Sequence, residues 1–197
     1  MANLTAQTLQ SPVLEDAALL VIQSKLQSGL SWLATAYGRA HRLTERAENG
    51  QQVYFPAVYA NSTDGTEYIK LFPDSEKGNF SFFDLKDDQQ FLDLATKSPK
   101  KNIYRFGADL VFWFDLRTVY PSPADWTGYG IANVVKQVSD LLQTAQMPGI
   151  NIELKGYKYD PNNVYKGYDA KPFQAQFAMK PFGCFRLECS ITHKTQC

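Results

Sequence analysis

Apolar and polar residues alternate along residues 103–119, IYRFGADLVFWFDLRTV. Tyr104, Phe106, Ala108, Leu110, Phe112, Phe114 and Leu116 share one parity, and Arg105, Gly107, Asp109, Asp115 and Arg117 share the other. A period of two is that of a β-strand with one face on a core. At about 3.3 Å per residue the run reaches roughly 50 Å, long for a small domain. Val111 and Trp113 interrupt the polar face at its centre, which predicts that this face is covered there, with a neighbouring subunit as a candidate cover.

Other elements follow from period and punctuation. Ser11-Pro12 offers an N-cap followed by proline at the first helical position, with Glu15 and Asp16 in the first turn. Leu19, Ile22, Leu26, Leu30 and Leu33 recur at helical spacing, with a weak point at Gly29 and continuation through residues 32–37. Residues 38–50 are mixed and charged and read as connection. The stretch 53–60, VYFPAVYA, reads as a strand that Pro56 restricts to an edge or a bulge. It is turned by residues 61–65 onto a hairpin partner at 67–72. Residues 73–102 carry little pattern beyond Phe80, Phe82 and Phe83 and a short helical turn near 87–94. A second amphipathic helix spans Ile131, Val134, Val135, Val138, Leu141, Leu142 and Ala145, capped by Asp125 or Thr127 and stopped by Met147-Pro148-Gly149. Strands follow at 150–159, 173–179 and 184–192. This order predicts a single α+β domain over residues 1–197, a largely antiparallel sheet with the N-terminal helix and the second amphipathic helix packed on one face, and an irregular insertion at about 61–102.

Composition narrows the function classes. Lys plus Arg number 20 and Asp plus Glu 20, and no segment concentrates one sign, whereas a dedicated nucleic-acid binder needs a basic patch to neutralise phosphates. No run reaches the ~18 apolar residues of a membrane span. The first residues lack the basic and apolar regions of a secretory signal, so a cytosolic site of synthesis is expected. Of the three cysteines, Cys184 and Cys189 have opposite parity on one strand and would face opposite sides, which predicts reduced thiols.

Chemistry-bearing patterns are few. Cys184, Cys189, His193 and Cys197 have ligand types suited to zinc, but on a strand Cys189 and His193 stand about 13 Å apart at about 3.3 Å per residue, so no metal is expected. Gly128-Tyr129-Gly130 lacks the third glycine of a dinucleotide loop and reads as a helix entry, so no cofactor is expected. His41 and His193 read as solvated, and Asp84, Asp87, Asp88 and Asp93 as a solvated charge run; no catalytic residue is assigned and no enzyme is expected. The unusual feature is aromatic content, 11 Tyr, 13 Phe and 3 Trp. Core packing explains most of it, while a docking interface is the functional use. Tyr157, Tyr159, Tyr165 and Tyr168 in a polar region, together with Val111 and Trp113, are the candidate subunit or partner interface. In the alternative, a soluble ligand-binding module, Trp126, Tyr165 and Tyr168 would line a pocket.

The order of elements resembles that of the tail-terminator and neck-ring proteins of tailed bacteriophages. The resemblance runs from the N-terminal helix through Phe55-Pro56-Ala57-Val58, the strand around 108–116, the helix at 131–145, Gly156-Tyr157-Lys158-Tyr159 and the last strand at 185–192. The insertion at 61–102 and the strand near Phe173 depart from the smaller family members. The resemblance implies a non-enzymatic virion structural protein at the neck or tail, made in the bacterial host cytoplasm. It would form a ring of six copies, with twelve as the alternative, between head connector and tail-tube proteins. Genome DNA would pass through the lumen without sequence-specific binding.

Overall fold

The structure is a computed structural model and describes residues 12–47, 49–59, 68–74, 77–92, 101–169 and 175–196. They form α1 (Leu14–Gly29), β1 (Thr35–Arg39), β2 (His41–Arg46), β3 (Gln52–Tyr59), β4 (Tyr68–Lys70), β5 (Phe80–Leu85), β6 (Gln90–Leu92), β7 (Lys101–Asp115), α2 (Leu116–Val119), α3 (Gly128–Thr144), β8 (Ile150–Lys158), α4 (Pro161–Val164) and β9 (Phe182–Gln196). Short 3-10 turns cover Pro123–Asp125 and Ala175–Ala178.

The alternating run forms β7, which ends at Asp115 because the Asp115 carboxylate accepts the Arg117 N–H and opens the single-turn helix α2. β7 pairs antiparallel with β9 along its whole length, from Lys101↔Gln196 to Asp115↔Phe182. Around this pair the large sheet runs β1-β5-β7-β9-β8, with β6 also on β7. Every pairing in it is antiparallel except β1 with β5. A smaller antiparallel sheet runs β2-β3-β4.

The two faces of the large sheet are covered differently. On the first, Ala18, Leu19, Ile22 and Leu26 of α1 and Val134, Val135, Val138 and Leu142 of α3 pack on the even residues of β7 and the odd residues of β9. Phe112 and Phe185 stack there with centroids 4.7 Å apart. The fold is thus α+β, a largely antiparallel sheet with both long helices on one face. On the second face, Val58 of β3, Leu71 after β4 and Val164 and Tyr165 at α4 cover Phe80, Phe82, Val111, Trp113 and Cys184. Val111 and Trp113 are therefore covered, and the cover is the chain itself.

Several local expectations are corrected. The helix does not continue past Gly29: residues 35–39 form β1, and the charged stretch after it forms β2. The helix begins after Val13, with Pro12 outside it and Ser11 outside the described residues. Pro56 lies in β3, the central strand of the small sheet, not at an edge. It is tolerated because its nitrogen and carbonyl point to the β4 side just past the last register pair, Ala57 with Lys70, where the carbonyl still accepts the Leu71 N–H at 2.8 Å. Within 73–102 the structure has the buried strand β5 and the short strand β6 in place of a helical turn. Ala175–Ala178 is 3-10 helix rather than strand. The turn at 61–65, Asp93 and Cys197 lie outside the described residues.

Candidate functional site

The six residues expected to form an interface divide in the structure. Val111 and Trp113 are 0% and 2% exposed, and Tyr165 is 1% exposed. The Trp113 indole N–H donates to the Phe177 carbonyl at 3.1 Å, and its ring stacks against Phe182 at 5.2 Å and Phe80 at 5.8 Å. These three side chains belong to the core between the sheets rather than to its outer surface. Parity alone could not distinguish a covering subunit from a covering sheet.

Tyr168 is half-buried and donates its hydroxyl proton to Asp84 Oδ1 at 3.0 Å. Burial, followed by the nearby Asp84 charge, pushes its phenol well above the ordinary value. Asp84 belongs to a buried ion cluster rather than a solvated run. Arg186, 5% exposed, places Nη1 2.9 Å from Asp84 Oδ2 and 2.8 Å from Asp109 Oδ2, while Nε donates to the Val164 carbonyl at 2.7 Å. Lys86 closes on Asp109 Oδ1 at 2.8 Å. In register, Asp84 stands opposite Asp109 and Asp109 opposite Glu188, a row of like charges that would repel without these cations. The cluster fixes the α4 segment to the sheet, and Asp169 continues the attachment by accepting the Tyr54 N–H at 2.7 Å. Asp88 likewise serves structure, accepting the Gly107 N–H at 2.7 Å.

Tyr157 and Tyr159 remain on the surface, 51% and 64% exposed, with ring centroids 6.4 Å apart. They stand at the end of β8, an edge strand that pairs with β9. A bulge at Lys155, between Leu154 and Gly156, interrupts the edge, and a lysine at a bulge discourages indiscriminate strand addition. Lys158 is held 2.8 Å from Glu188. Its hydrogen bond keeps the Glu188 carboxyl below the ordinary carboxylate value. Tyr129, 81% exposed at the start of α3, is a further surface aromatic; the Gly-Tyr-Gly pattern drew attention to its glycines and not to it. Gly130 is required by packing, since a Cβ there would come within 2.0 Å of the Asp125 carbonyl oxygen.

The opposite edge, β1, is sealed by α1. Gln27 Oε1 accepts the Ala36 N–H at 2.8 Å and Gln27 Nε2 donates to the carbonyls of Leu33 and Ala34. Gln23 donates to the Ala36 carbonyl, and Arg39 pairs with Glu15 at 2.7 Å and Asp16 at 3.2 Å. The residues 23 and 27, one helical turn apart, therefore replace the strand that β1 lacks.

At the end of the sheet where β7 finishes lies a cavity of about 330 Å³. Trp32, Trp113, Phe177 and Phe182 form its walls, with Asp115 and Arg117 at its rim. Trp126, Tyr165 and Tyr168 do not share a pocket: Trp126 packs on the helix face and the tyrosines on the other. The sequence pattern, which predicts helix at Trp32 and strand at Phe177, does not bring these residues together; in the structure Trp32 lies in a turn after α1 and Phe177 in a 3-10 turn. Cys184 and Cys189 lie in opposite cores, as their parity predicts, and burial pushes both thiols up to about 12, so they stay protonated at neutral pH. No group of three or more His, Cys, Asp or Glu arranged to hold a metal occurs among the described residues, and no helix among them is long and apolar enough to cross a membrane. No known family model and no curated protein matches the chain.

Proposed function

We propose that this chain is a non-enzymatic ring-forming subunit of the tail-terminator or neck type, joining a head connector to a tail tube around a DNA channel. The observation that carries the reading is lateral asymmetry. One edge of the large sheet is sealed by α1, and the other ends in the exposed pair Tyr157 and Tyr159. A closed ring is built from heterologous contacts, in which one flank of a subunit meets a different flank of the next. Exposed tyrosines at the end of a strand suit such a contact, because Tyr contributes large area at small entropic cost and is enriched at interfaces. Equal numbers of acidic and basic residues suit a lumen through which DNA slides without being gripped by counterion release.

Mass spectrometry of density-purified, nuclease-treated particles from the producing culture tests this reading. A fixed low copy number, about six or twelve per DNA-filled particle, is expected; absence from intact particles contradicts it. The alternative, an aromatic-lined ligand-binding module, draws on the cavity beside Trp32 and Trp113. It predicts a ligand-dependent rise in melting temperature and no association with particles.

A further inference from the structure

We propose that the cavity at the end of the large sheet is a binding site for a phenol ring. Its volume of about 330 Å³ falls within the roughly 300–1,000 Å³ typical of small-ligand pockets and accommodates one substituted benzene ring. The aromatic walls are anchored without a ligand. Trp113 is held through its N–H to Phe177, and the Trp32 N–H donates to Gln137 Oε1 at 3.0 Å while its ring tilts against Phe114 at 5.7 Å.

The polar groups of the lining bind one another. Asn79 Nδ2 donates to the Trp32 carbonyl at 2.7 Å and to Thr118 Oγ1 at 2.6 Å, and its Oδ1 accepts the Asp115 N–H at 2.8 Å. The Thr118 hydroxyl in turn donates to the Asp115 carbonyl at 2.7 Å. Asp74 is paired with Lys77, and Asp115 is gripped by Arg117 through Nε and Nη2 at 2.7 to 3.0 Å. What the rim still offers is Arg117 Nη1, which makes no hydrogen bond among the described residues, on a side chain that is half-exposed and lies 5.4 Å from the centre of the Phe182 ring. A complementary ligand has apolar ring faces and one hydrogen-bond acceptor at its edge. A carboxylate would sit beside Asp74 and Asp115, and a cation would find both carboxylates already neutralised. A neutral phenol satisfies both conditions, its ring against the aromatic walls and its oxygen accepting from Nη1.

The phenol has two sources, a small soluble phenol or a tyrosine presented by a second copy of this chain. Tyr159 stands at the level of the cavity: its carbonyl lies 4.0 Å from Cys184 Sγ, and Cys184 is the register partner of the cavity residue Trp113. The site itself does not depend on the ring reading; only the second source does.

Titration of ¹⁵N-labelled protein with p-cresol, the tyrosine side chain as a free molecule, tests the site. Saturable shifts of the Trp32 and Trp113 indole N–H resonances are expected, with Trp126 unmoved. Ala34→Phe, which fills the cavity from an exposed lining position, is expected to abolish them, and Arg117→Met to weaken binding about tenfold, about 1.4 kcal/mol. The Arg117 variant keeps the test readable should Ala34→Phe not fold. No saturable shift, or shifts unchanged in both variants, overturns the site. In a second arm, the labelled Tyr157→Ser/Tyr159→Ser protein is mixed at high concentration with unlabelled wild type or unlabelled double variant. Shifts of the same indoles with wild type alone assign the phenol to a neighbouring copy. With p-cresol binding established, shifts with neither assign it to a soluble compound.

Discussion

The two edge strands of the large sheet, β1 and β8, are finished in different ways. At β1 the chain supplies its own substitute for a neighbouring strand, with Gln23 and Gln27 of α1 occupying the backbone groups of Ala36. At β8 a bulge and Lys155 interrupt the edge, and two tyrosines beyond it stand open. An unpaired edge is a liability that proteins either cover or blunt. The difference teaches that the chain itself occupies backbone groups of β1, whereas β8 leaves alternate side chains open along its length and ends in an exposed aromatic pair.

The largest effect is expected from the strand that both edges depend on. Trp113→Ala removes a buried ring packed between Phe80 and Phe182 on the central strand of the sheet and should cost about 3–5 kcal/mol in urea unfolding. A loss under 1 kcal/mol would mean that this face is not the core described. Next, Gln27→Leu breaks the seal at β1 alone. It leaves the Ala36 N–H without its partner and should cost about 1–3 kcal/mol, with faster hydrogen exchange at β1 and none of this change at β8. Equal acceleration at both edges would erase the distinction between them. The smallest effect concerns β8. The Glu188 carboxyl, depressed in the folded state by Lys158, contributes stability above its unfolded value of about 4.3 and loses it as pH falls through the lower folded value. Opening of β8, measured by exchange corrected for intrinsic rate, should rise as the pH falls below about 4, and Glu188→Gln should abolish that dependence. An unaltered dependence in Glu188→Gln would show that this pair does not tie β8 to β9.

Elements governed by a single strong period were legible in the sequence. The long strand β7, the helix α3 and the strands β8 and β9 stand close to where the alternation and the apolar stripe put them. Strands built from mixed positions were not: His41–Arg46 is almost wholly exposed, so β2 carries no alternation to read, and Phe80–Leu85 is buried on both faces at its start, which erases the period of two. The interface candidates were half legible. Composition singled out the aromatics, but whether a tyrosine is buried depends on what the small sheet and α4 cover, and that is decided by tertiary packing. Tyr165 and Tyr157, eight positions apart, differ for this reason. The ion cluster had a local signal, a charged residue within each of two paired strands, Asp109 and Arg186, but their proximity became known only with the pairing of β7 and β9.

The central claim, that the end of β8 is the surface this chain gives to a neighbour, is tested most directly by hydroxyl-radical footprinting of Tyr157 and Tyr159 in the free chain and in purified particles. Both rings should be modified readily in the free chain and protected at least several-fold in particles. Equal modification in the two states would contradict the claim.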